Sequence, residues 1–137
     1  MNKVFLMRAA VGTALFGLGV ATGLVAQPTY DSPERQELKR TDLSGAPGME
    51  VILSVAKYMP GSSIPLHLHH GVEAGYVLKG SSIQPPGKDA MPLPTGATVM
   101  NLRDVRHGGF KIVGEQPLEL LTVHVVDKGK PLYDTTR

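Results

Sequence analysis

Residues 61–80 read GSSIPLHLHHGVEAGYVLKG, and their centre, IPLHLHHGVE (64–73), holds three of the chain's five histidines and one acid. His67 and His69 stand two residues apart. On a β-strand, residues so spaced send their side chains to the same face, so a sheet could offer both imidazoles to one ion. His70 falls on the opposite face if the strand continues, toward solvent or the mouth of a site. Gly71 permits a turn that would bring the Glu73 carboxylate back to the pair. Two imidazoles and a carboxylate suit Fe(II), Mn, Ni or Zn and leave positions open for water or substrate. His-x-His pairs are also common surface features of strands, so spacing alone leaves both readings open.

The surroundings of this stretch are rich in strand signals. MEVILSVAKYM (49–59) carries β-branched residues between GAPG and PG turns, and SIPLHLH (63–69) continues it as a strand kinked at Pro65. AGYVLKG (74–80) and ATVMNL (97–102) read as further strands, and QPLELLTVHVVD (116–127) is the longest strand signal in the chain. Between them QPPGKDAMPLPTG (84–96) reads as loop, with four prolines. ERQELKRTDLS (34–44) has helical propensity but a partial alternation that suits an edge strand. The tail KGKPLYDTTR (128–137) is polar and reads as loose. Short strands, Gly/Pro turns and no helical period after residue 45 predict an all-β sandwich or barrel.

A wider pattern narrows this. Counting from Gly61, the spacing runs Gly, five residues, His67, one residue, His69, three residues, Glu73, six residues, Gly80. Downstream, LPTGATVMNLRDVRHGG (93–109) supplies Pro94, Gly96, a strand and His107, while the Asn that usually trails this second motif is absent, with Lys111 near its place. The two segments together resemble the paired motifs of the cupin superfamily, the quercetin-dioxygenase-like small cupins among them, across residues 48–127. The resemblance implies a single-domain double-stranded β-helix, a jelly-roll barrel. It also implies one divalent transition metal inside, Fe(II) ahead of Mn, Ni or Zn, held by His67, His69, Glu73 and His107.

The chain's ends and charge set further bounds. MNKVFLMR (1–8) is basic, and residues 9–26 run without a charge to a small-residue exit at Ala26. That is the pattern of a secretory signal peptide cleaved after Ala26, the alternative being an uncleaved membrane anchor. The expected organisation is then a signal at 1–26, a lead-in and edge strand at 27–47, the barrel at 48–127 and a tail at 128–137, in an exported, periplasmic or secreted protein. Without Lys3 and Arg8 the basic residues equal the 12 acidic ones, so no basic stripe invites nucleic acid. The absence of cysteine excludes disulfides and lipoprotein anchoring. No Gly-x-Ser-x-Gly supports acyl hydrolysis.

Other residues carry weaker signals. His124 shares a strand face with Leu118, Leu120, Thr122 and Val126, as either a pocket residue or a strand histidine bonded to a neighbour. Tyr58, Met59 and Met100 read as core, Tyr76 as packing, and Arg103, Asp104 and Arg106 as solvated turn charges. The expected function is a metal-dependent, dioxygenase-like oxidoreductase on a small oxygenated organic molecule, with Glu73 both ligand and proton acceptor. A non-catalytic binding module and a metal-dependent lyase or isomerase remain as alternatives. The resemblance also implies that two copies could pair as a homodimer.

Overall fold

A computed structural model describes residues 35–136, and the expected signal peptide lies outside them. Among the described residues nine antiparallel strands form two sheets. In chain order they are β1 (Gln36–Asp42), β2 (Met49–Tyr58), β3 (Ser63–Ile64), β4 (Gly71–Lys79), β5 (Ser81–Gln84), β6 (Met91–Leu93), β7 (Thr98–Asn101), β8 (Phe110–Ile112) and β9 (Leu118–Asp127). One sheet runs β1-β2-β9-β4-β7 and the other β3-β8-β5-β6. Two sheets so wound make the expected all-β jelly roll. Among the described residues no helix is long and apolar enough to cross a membrane.

The frame of the barrel is the pairing of β2 with β9 over the full length of both, flanked by β4. Strict alternation turns Ile52, Ser54, Ala56 and Tyr58 of β2 inward beside Leu118, Thr122, His124 and Val126 of β9. One end of the interior is apolar: Ala56, Tyr58, Ile64, Val77, Ile83, Ile112 and Leu118 form its core. The outward face of the same strands is also aliphatic. Val51, Leu53 and Val55 stand beside Val125, Val123 and Leu121, which explains why neither strand shows a simple polar alternation.

Several expectations change. Residues 34–44 resolve as an edge strand: β1 is exposed throughout, and its charges, with Arg40 bonded to Glu37 and Glu50 at 2.7–3.0 Å, suit an unpaired border. The Pro-rich segment is not loop throughout, because β5 and β6 pair as a hairpin; Pro92 is tolerated in β6, an edge strand. SIPLHLH is strand only at β3, after which His67 and Leu68 make isolated bridges to two different segments. Met59 and Met100 are exposed rather than core, and Tyr76 lies half exposed on the outer face. The tail is not loose: Tyr133 and Asp134 are buried and Asp134 bridges to Leu68.

Candidate metal centre

The opposite end of the interior is polar. His67, His69, Glu73, Thr122 and His124 are buried there together with Ser54. His67 comes from the extended segment between β3 and β4, and its backbone exchanges hydrogen bonds with His107 at 2.8 and 3.0 Å. That bridge joins the two motif segments 40 residues apart in sequence. Gly108 makes the close approach possible, because a Cβ there would lie 2.6 Å from the Pro65 carbonyl and 3.2 Å from the His67 ring. Glu73 arrives differently from expectation. Gly71 does not turn the chain; it opens β4, and alternation alone points Glu73 inward. A Cβ at Gly71 would meet the Val125 carbonyl at 2.1 Å, so that glycine serves close strand packing.

The four expected ligands are brought together. His69 Nε2 and His107 Nε2 lie 3.1 Å apart, and each stands 3.2–3.3 Å from Glu73 Oε2. The ligand atoms of His67, His69 and His107 fall within 4.8 Å of one another. The protons of these imidazoles can be assigned from their surroundings. His67 Nδ1 faces the Pro65 carbonyl at 2.7 Å, His69 Nδ1 that of Leu132 at 2.5 Å, and His107 Nδ1 that of Val105 at 3.0 Å. A carbonyl only accepts, so each Nδ1 carries a proton and, in the neutral ring that metal ligation needs, each Nε2 presents a lone pair. The His67 Nε2 atom is buried with no hydrogen-bond partner. Three inward lone pairs beside a carboxylate repel one another unless a cation sits among them, so the donor set fits a divalent metal ion.

Glu73 is held from both sides of its strand. Register places Asn101 of β7 and His124 of β9 directly opposite it. Asn101 Nδ2 donates to Glu73 Oε2 at 2.7 Å, and His124 Nε2 stands 3.3 Å from Oε1. Burial alone would raise the Glu73 pKa, but contacts with His107, His124 and His69 hold it far below the usual carboxylate range. Burial pushes His67 down to about 4, against the opposing pull of the Pro65 carbonyl, and the neighbouring His107 and His69 lower it further. Burial likewise lowers His124, with Glu73 opposing. A His67 imidazole kept neutral and a Glu73 carboxylate kept ionised are protonation states that metal ligation requires.

A cavity of about 170 Å³ opens above the cluster. His67, Glu73, Asn101, His107 and Tyr133 form its polar floor, and its walls include Tyr58, Ile83, Val99, Phe110 and Leu120. Among the described residues no lysine or arginine lines it. Arg103 is exposed, as expected of a solvated turn charge, and pairs there with Asp127 at 2.8–2.9 Å. His70 is not solvent-facing: its side chain is largely covered, 3.2 Å from both Asp104 and Asp134. Sequence reasoning left out Asn101, the Leu132 carbonyl and Tyr133. His124, open in the sequence between a pocket residue and a bonded strand histidine, is buried with its Nε2 3.3 Å from Glu73 Oε1. Neither of its ring nitrogens makes a hydrogen bond, and with His69 and Glu73 it forms a second group that could hold an ion.

Fold and site together define a double-stranded β-helix with an interior imidazole–carboxylate centre. The chain belongs to the cupin family: the Cupin domain model matches residues 54–124. Among solved structures it is similar to a double-stranded β-helix protein from Klebsiella pneumoniae, at 16% identity and a TM-score of 0.56, covering 80% of this chain and 90% of that one. The polyketide cyclase RemF from Streptomyces resistomycificus matches at 21% identity and a TM-score of 0.50, covering 72% and 80%. The DMSP lyase DddQ from Ruegeria pomeroyi matches at 18% identity and a TM-score of 0.48, covering 58% of this chain and 40% of that one. These likenesses concern the fold. No curated protein matches the chain by sequence.

Proposed function

We propose that this protein is an exported cupin that holds one divalent transition metal ion and binds a small oxygenated organic molecule above it, in a dioxygenase-like reaction. His67, His69, Glu73 and His107 would be the ligands, with Fe(II) the ion of first choice. The observation that carries the reading is the set of inward Nε2 lone pairs whose Nδ1 protons are committed to backbone carbonyls. When bound, the metal supplies Lewis acidity and a place for oxygen to coordinate. The chain itself does the rest. Asn101 and His124 fix the carboxylate plane of Glu73, and the Glu73 Oε1–His124 pair is where a proton could be held. The apolar walls exclude water.

The cavity also bounds the ligand. A cavity of about 150 Å³ accepts a molecule the size of benzene, and the one here is of that scale. With no cationic side chain in its lining, it favours a neutral, single-ring molecule with an oxygen directed at the floor. Purified His67→Ala protein should lose its metal, and a metal content equal to wild type would refute the ligand assignment. Oxygen uptake across a panel of phenolics and diketones tests the reaction class.

One observation favours a second reading, a binding module without turnover. Both Glu73 oxygens are already engaged, and among the described residues the cavity adds only the phenols of Tyr58 and Tyr133 to Glu73 and the histidines. Metal retained with no turnover of any panel member would select it. The partly exposed aliphatic face of β2 and β9 supports pairing of two copies, which light scattering would test. Sequencing the mature N-terminus tests cleavage after Ala26.

A further inference from the structure

We propose that the C-terminal strap, residues 131–136, is a positioning part of the metal centre, and that strap docking and metal binding reinforce each other. The inference rests on the metal reading above.

Three observations carry it. First, the Leu132 carbonyl accepts the Nδ1 proton of His69, a histidine with no exposed surface. That bond fixes which nitrogen of His69 faces inward and how its ring is turned. The other two imidazoles take their carbonyls from Pro65 and Val105, each two residues away in its own segment. His69 alone among the three depends on a residue 63 positions distant.

Second, the strap is docked on the segment that bears the ligands. Leu68 and Asp134 exchange backbone hydrogen bonds at 3.0 Å in both directions. The Asp134 side chain stands 3.2 Å from His70 Nε2 and accepts from the Thr136 amide and hydroxyl at 2.9 and 2.6 Å. Leu68, between the two ligand histidines, is therefore tied to the strap, while His67 beside it is tied to His107.

Third, Tyr133 closes the floor. Its ring centroid lies 4.4 Å from that of His67 and 4.9 Å from that of His69, and its hydroxyl accepts a hydrogen bond from Arg35. The strap thus supplies an acceptor to one ligand and a packing surface to two. A ligand whose supporting partner is lost typically binds its metal 10–100-fold more weakly. By reciprocity, a strap that tightens metal binding is itself held more firmly when metal is bound.

The test uses Zn²⁺ and the full chain. Zinc affinity is measured by competition with a chelating indicator for wild type, Asp134→Pro and Asp134→Asn. Proline removes the amide that bonds Leu68 and disfavours the bridge, whereas asparagine keeps the backbone pairing. Asp134→Pro should weaken zinc binding about 10–100-fold, with Asp134→Asn much closer to wild type. In wild type alone, hydrogen exchange at the Leu68 and Asp134 amides should slow when zinc is added. This readout stands even if the proline variant does not fold. Unchanged affinity in Asp134→Pro, or exchange at those amides indifferent to zinc, would overturn the inference while leaving the metal reading intact. A merely structural strap predicts that pattern, with only the melting temperature of the metal-free variant lowered. A wild type that takes up no zinc would overturn the metal reading and the inference with it.

Discussion

The two ends of the barrel interior are built from the same three strands and held by different physics. At one end Ala56, Tyr58, Val77 and Leu118 meet as an ordinary hydrophobic core. At the other, the same strands present Ser54, Thr122, His124 and Glu73, all buried. The apolar end is stabilised by area removed from water and needs no particular partner geometry. The polar end tolerates burial because many of its groups are matched, Ser54 with Thr122 at 3.3 Å, Glu73 with Asn101, the Nδ1 protons of His67 and His107 with carbonyls, while both nitrogens of His124 lack a hydrogen bond. The unmatched remainder, the inward imidazole lone pairs, is the functional part. One strand can thus carry both stability and chemistry, separated by a few residues along its length.

That separation is open to attack by substitution. Leu118→Ala, at the apolar end, should cost about 2–5 kcal/mol of stability, with one metal ion still bound per folded molecule; chemical unfolding followed by metal analysis would show whether the two effects come apart. Glu73→Gln, at the polar end, should do the reverse. Its metal affinity should fall by more than the roughly 100-fold that loss of a supporting partner costs, while the metal-free protein unfolds near the wild-type midpoint. Asn101→Ala removes only the donor to Glu73 Oε2 and should weaken metal binding about 10-fold, measurable by the same competition titration. If Asn101→Ala matched Glu73→Gln, the amide would be doing more than holding the carboxylate.

The pH dependence should also come from the polar end. The folded His67 value lies near 4, below the ordinary 6.5. Between those values the unfolded chain binds a proton that the folded chain does not. Stability of the metal-free protein should therefore rise with pH across that window. Urea midpoints at pH 4, 5 and 7 would check the sign, and His67→Ala should flatten the rise. The smallest effect is expected on the outer face, where Met100→Thr should move stability by no more than about 0.5 kcal/mol and leave metal binding alone.

The sequence disclosed the two halves of the site unequally. His67, His69 and Glu73 were legible as a local cluster, though Glu73 was given the wrong route inward, and His107 joined them only through the resemblance to the paired cupin motifs. The strands β2, β4, β7 and β9 were legible because strand and turn signals are local patterns. Asn101 was not: it lies in a strand read correctly, but its place beside Glu73 is set by the β4–β7 register, which neither segment encodes alone. Tyr133 and the Leu132 carbonyl were hidden further, because KGKPLYDTTR has the composition of a loose tail and its docking depends on a bridge to Leu68. β1 stayed ambiguous because an exposed edge strand buries nothing and so shows no clear alternation. The β5–β6 hairpin was masked by prolines that an edge strand can accept.

The central claim is that the polar end holds one metal ion. The most direct test is elemental analysis of the protein expressed with export and purified without chelator. About one equivalent of a divalent transition metal per chain is the predicted result. No bound metal, even after incubation with Fe(II), Mn, Ni and Zn in turn, would contradict it and leave the converging lone pairs of His67, His69 and His107 without their cation.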